Sequence, residues 1–105
     1  MVIKGRIGAA GWSALATAVT LVPNFIRGIN VDSALSMTDG RVEDIRQIWD
    51  HLAGPRKYVM VNNPFKIFRG PVNEEEGFED GGVEDLIKLL EETVSSHTRK
   101  FCANN

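Results

Sequence analysis

Cysteine is nearly absent from this 105-residue chain: Cys102 stands alone, so no internal disulfide can form. That suits a reducing compartment, and a cytoplasmic location is the expectation. The sequence has no CxxC pair and no Cys/His cluster at ligand spacing, so neither a metal centre nor a cofactor is expected. Acidic residues are missing from positions 1–31, which carry only Lys4, Arg6 and Arg27 among charged side chains. All 14 acids fall in the remaining residues, beginning at Asp32. A long hydrophobic run is also missing. The uncharged run Ile7 to Val22 has Gly, Ala, Ser or Thr at most of its positions. As a helix it would be roughly 24 Å long, against about 30 Å for a bilayer core. It is therefore a weak membrane span, and membrane association through residues 7–22 is the lesser expectation. A targeting segment or a strand over "TAVTLV" is a further alternative.

The stronger reading of this segment is a packed helix that Pro23 ends. Ala10, Ala14 and Ala18 recur every four residues and form a smooth ridge. Such ridges let helices approach closely, which makes this one a candidate helix-packing or oligomer contact. Residues 24–37 are mixed and fit either a short strand or a turn of helix.

From Asp39 onward the pattern is plainer. Asp39 is the expected N-cap of a second helix, with Glu43 and Asp44 in its first turn, where the helix dipole favours carboxylates. Val42, Ile45, Ile48, Trp49 and Leu52 make its apolar face, and Gly54-Pro55 stops it. "RKYVMVNNPFKIFRGPV" reads as a β-hairpin, with Asn62-Asn63 as turn residues tolerant of left-handed geometry. "NEEEGFEDGG" reads as a solvated acidic loop. The last helix carries Val83, Leu86, Ile87, Leu90, Val94, His97 and Phe101 on one stripe, with acids at its start and Arg99 and Lys100 at its end. The expected architecture is α+β: one small domain, residues 1–105, of about three helices packed with a hairpin. Within it, 1–31 is the basic and apolar segment, and 32–105 holds the second helix, hairpin, acidic loop and last helix.

Catalytic groupings are thin. His97 and Cys102, five apart on one helix, point to different sides of it. Asp50 and His51 are helix neighbours and do not face each other. Glu74, Glu75 and Glu76 lack the alternating ligands of a calcium loop. "GRIGAAG" is not a GxGxxG fingerprint, and no GK[ST] occurs, so Gly5, Gly8 and Gly11 read as loop and packing residues. The chain is thus expected to be non-enzymatic.

The hairpin region is the leading candidate surface. Arg56, Lys57, Lys66 and Arg69 lie there with Tyr58, Phe65 and Phe68 between them and no acid. Bases of this kind contact phosphates, and aromatics stack on unpaired nucleobases. A helix followed by such a hairpin has the outline of a winged helix. Its Arg41 and Arg46, however, are outweighed by Glu43, Asp44 and Asp50, which repel phosphate. Two functions follow as expectations: an interaction or accessory protein that binds a protein partner or itself, and alternatively a nucleic-acid-binding module using residues 55–72.

Overall fold

Two strands that the sequence hardly announces join the expected hairpin in a single sheet. The structure, a computed structural model, describes residues 1–22, 24–54, 56–70 and 82–103, with residues 99–103 by backbone alone. In chain order it has β1 (Val2–Ile3), α1 (Gly8–Leu21), β2 (Gly28–Val31), a 3-10 turn (Ala34–Met37), α2 (Val42–His51), β3 (Tyr58–Asn62), β4 (Phe65–Arg69) and α3 (Val83–Ala103). The four strands lie side by side in sequence order. β1, β2 and β3 run parallel, and β4 returns antiparallel to β3. The architecture is α+β, three helices with a four-stranded sheet.

Parallel neighbours need a crossover, and α1 and α2 supply the two crossovers. The helices pack against each other, and α3 packs against α2, the 3-10 turn and β4. The core lies between helices and sheet. Ile3, Ile29, Val31, Val59, Val61 and Phe68 from the strands meet Trp12, Val19, Ile45, Ile48, Leu86 and Leu90 from the helices.

Residues 7–22 do form a helix, and no described helix is long and apolar enough to cross a membrane. Its buried stripe is Trp12, Ala16 and Val19. Ala10, Ala14 and Ala18 are all on the exposed side, so this ridge makes no close helix contact among the described residues. Trp12 is the anchor: it is 2% exposed, and its indole Nε1 donates to Ser36 O at 3.2 Å.

Three local expectations are corrected. Asp39 does not cap α2; the N-cap is Arg41, in extended conformation with no side-chain cap bond. Asp39 instead accepts from Arg6, Nε at 3.0 Å and Nη2 at 2.5 Å, and ties the loop before α1 to the loop before α2. The hairpin turn is not left-handed at Asn62 or Asn63; it holds a cis Asn63–Pro64 bond, the arrangement of a type VI turn. His97 is exposed rather than on the buried stripe of α3, while Leu89 joins that stripe. The acidic loop, Pro23, Pro55 and the side chains of Arg99, Lys100 and Phe101 lie outside the described residues.

Candidate functional site

All the described helices cover one side of the sheet. Strand residues alternate between faces, and cross-strand partners share a face. The register therefore assigns the second face: Val2, Asn30, Met60 and Ile67 form one row, Gly28, Tyr58 and Arg69 a second, and Asn62 with Phe65 a third. No described element covers this face. Parallel strands usually have both faces covered, so a face that no described element covers is informative.

The chemistry of the open face is aromatic and neutral. Phe65 is 65% exposed and Val2 59% exposed, whereas Tyr58, Met60 and Ile67 are half-buried by their neighbours. The strand residues here include no carboxylate, and the one charged side chain among them is Arg69. Tyr58 lies flat on the backbone of Gly28: a Cβ at Gly28 would sit 2.2 Å from the ring. A side chain at that position would lift the ring, so glycine gives it a seat. Tyr58 and Phe65 occupy rows four residues apart along β3, roughly 13 Å, far enough to take separate bases.

The hairpin residues predicted as one surface divide between the two sides of the sheet. Tyr58, Phe65 and Arg69 share the open face. Phe68, 1% exposed, belongs to the core with Val59 as its cross-strand partner. Lys66 is exposed but stands opposite Val61, on the side the helices cover. Lys57 is committed to the fold, with Nζ donating to Trp49 O at 2.9 Å and lying 5.3 Å from the centre of the Trp49 ring. Arg56 is exposed at the end of the sheet, beside Arg27, whose side chain is also exposed.

Other places offer less. At the carboxyl ends of the parallel strands, where α/β sheets often bind ligands, the loop after β1 leads into α1 with positive φ at Gly5 and Gly8. Two of its donors are already used: Gly5 N donates to Asp32 Oδ2 at 2.8 Å, and Arg6 is paired with Asp39. Ser36 Oγ also donates to Asp32, and this bond first, then that from Gly5, holds the Asp32 carboxyl below its ordinary range. The groove between α2 and α3 contains the Arg46–Glu84 ion pair, 2.7 Å, with Lys88, Glu91 and Glu92 around it. That pair holds Glu84 below its ordinary range, and the groove mixes charges of both signs. His51 Nδ1 lies 2.9 Å from Gln47 O on its own helix. No metal-binding group of three His, Cys, Asp or Glu occurs among the described residues.

Periodicity could locate the hairpin aromatics but could not assign their faces without register. The open face itself escaped sequence reasoning because β1 is two residues long and β2 lies in a stretch of mixed pattern. Comparison with protein-family models, with curated protein sequences and with solved structures gives no match in any of the three.

Proposed function

We propose that this protein is a non-enzymatic binding module whose open sheet face takes a short single-stranded nucleic acid. The observation that supports this reading most is the sheet face that no described element covers, with Tyr58 and Phe65 displayed on carboxylate-free strands and Arg27 and Arg56 at one end. Aromatic stacking is tolerant of sequence and is worth about 1–3 kcal/mol per base. Size also favours this ligand. Strands of two, four, five and five residues, at about 4.8 Å spacing and about 3.3 Å per residue, give roughly 250 Å² of face. A stable protein interface uses about 800 Å² per partner, whereas open four-stranded sheets elsewhere hold two or three stacked bases.

Fluorescence anisotropy of a labelled oligothymidylate tests the reading. Binding is expected at low salt, with a salt slope of about −2 for three phosphate contacts. Phe65→Ala and Tyr58→Ala are each expected to weaken it by roughly 5- to 150-fold. Wild-type affinity in both variants would reject the stacking face.

A second reading, contact with another copy of the chain or a protein partner, is favoured by Leu21, Val22 and Phe25, which are 74%, 53% and 71% exposed around the end of α1. Exposed apolar residues of this size, grouped within a short segment, mark contact sites. Light scattering behind size exclusion tests it: a dimer that Leu21→Ser and Phe25→Ser convert to monomer supports self-association, and a concentration-independent wild-type monomer rejects it.

A further inference from the structure

Below the open face, at the N-terminal ends of β2 and β3, the chain forms a concavity of about 430 Å³. Asn24, Arg27, Ala53, Gly54 and Arg56 line it. These residues come from two connections, one leading into β2 and one into β3. Hydrogen bonds hold the connections together: Ala53 N donates to Ile26 O at 2.7 Å, and Tyr58 N donates to Arg27 O at 3.2 Å. Each connection also contains a left-handed residue, Asn24 at φ 68° and Gly54 at φ 81°. Asparagine and glycine are the residues that adopt this conformation most readily. The walls are therefore set by the backbone rather than by long side chains.

Arg6 and Arg46 each have a carboxylate partner. Arg27 and Arg56 make no ion pair or side-chain hydrogen bond with the described residues, and no carboxylate lines the pocket among the described residues. Two guanidinium groups that line one concavity without a carboxylate partner among the described residues attract an anion. Their planar forks suit the tetrahedral oxygens of phosphate better than an ammonium would. The volume exceeds the needs of a bare anion and falls within the range of about 300–1,000 Å³ typical of small-molecule sites.

We infer that the concavity lined by Asn24, Arg27, Gly54 and Arg56 binds a phosphate monoester, with both arginines on the phosphoryl oxygens and the esterified group in the remaining space. The site needs no aromatic ring and does not depend on base stacking above it. Two sources share this chemistry: the terminal phosphate of a nucleic-acid strand lying on the sheet, and a free small phosphomonoester.

Amide chemical-shift titration of the ¹⁵N-labelled full chain, at fixed ionic strength, tests the inference with inorganic phosphate as probe. Saturable shifts at Asn24, Arg27, Gly54 and Arg56 are expected, with chloride giving none. Arg27→Gln and Arg56→Gln are each expected to weaken phosphate binding roughly tenfold, the loss of a charged hydrogen bond. Both side chains are exposed, so these variants are expected to keep the wild-type spectrum elsewhere. Phe65→Ala should leave the phosphate titration unchanged, which separates this site from the stacking face.

A second arm compares oligothymidylates with and without a 5′-phosphate. Tighter binding of the phosphorylated strand, lost in Arg27→Gln, identifies the strand terminus as the ligand. Saturable phosphate binding without that gain identifies a free phosphomonoester. Phosphate shifts that match those of chloride, or that persist unchanged in both arginine variants, would overturn the inference.

Discussion

Replacing Gly28 with alanine would place a methyl carbon 2.2 Å from two carbons of the Tyr58 ring. Non-bonded carbons rest at about 3.5–4.0 Å, so the ring would have to withdraw by more than about 1 Å. If it stays on the sheet, the strain is that of an overpacked contact, about 1–3 kcal/mol. If it swings into solvent, the half-buried ring loses its packing and the sheet face loses its stacking platform. Against this stands the gain from removing a glycine in a strand, about 0.5–1 kcal/mol. The net expectation is a loss of about 1–2 kcal/mol from those opposing contributions. Urea denaturation measures that loss. Tyr58 is the chain's one tyrosine, so its ring protons report the displacement in a proton spectrum without assignment work. Gly28→Ala is expected to move those resonances towards random-coil values and to weaken oligonucleotide binding, with far-UV circular dichroism unchanged. An alanine variant more stable than the parent, with unshifted tyrosine resonances, would show that the ring has no seat on Gly28 and would refute the reasoning.

Trp12→Phe should destabilise the chain by about 1–3 kcal/mol in the same denaturation assay, because Ser36 O loses its buried indole donor. Lys57→Ala should cost about 1–2 kcal/mol through the bond to Trp49 O and the contact with the indole ring. It should leave oligonucleotide affinity unchanged, since Lys57 belongs to the fold. Asp32, Asp39 and Glu84 all titrate below their ordinary values because of hydrogen bonds from Ser36, Arg6 and Arg46 respectively. A carboxylate with a depressed folded pKa contributes stability above its unfolded pKa and loses it as pH falls through the folded one. Stability should therefore decline below about pH 4, and Asp32→Asn should flatten that decline in a denaturation series against pH.

The elements legible in the sequence are those that bury a single periodic face. α2 buries Ile45, Ile48, Trp49 and Leu52 as its spacing requires, and α3 buries Leu86, Ile87 and Leu90. The hairpin strands were equally plain from alternating Val, Phe and Ile between turn residues. β1 and β2 were not, because a two-residue strand has no period, and "GINV" beside the 3-10 turn mixes signals. Their existence is fixed by long-range pairing: Asn30 N donates to Met1 O at 2.8 Å across the sheet. The alanine ridge lies on the exposed side of α1 for a related reason. α1 buries Trp12, Ala16 and Val19, and a helix rich in small residues offers several plausible faces until a tryptophan finds its acceptor. Asp39 shows the same limit, since its sequence position suits a cap while Arg6, far away in sequence, takes its oxygens.

The candidate site followed this division. Basic and aromatic residues in 55–72 were visible as a group, but only register separates Tyr58 and Phe65 on the open face from Phe68 in the core. Arg27 lies outside that window and reaches the site because β2 pairs with β3. A contact between strands distant in sequence assembled what no local pattern could.

The most direct measurement is a ¹⁵N chemical-shift titration of the full chain with a short oligothymidylate at low salt. Shifts confined to Val2, Asn30, Tyr58, Met60, Asn62, Phe65 and Ile67, extending to Arg27 and Arg56, are what the account predicts. Shifts centred on the exposed side of α1, or none at all, would contradict it.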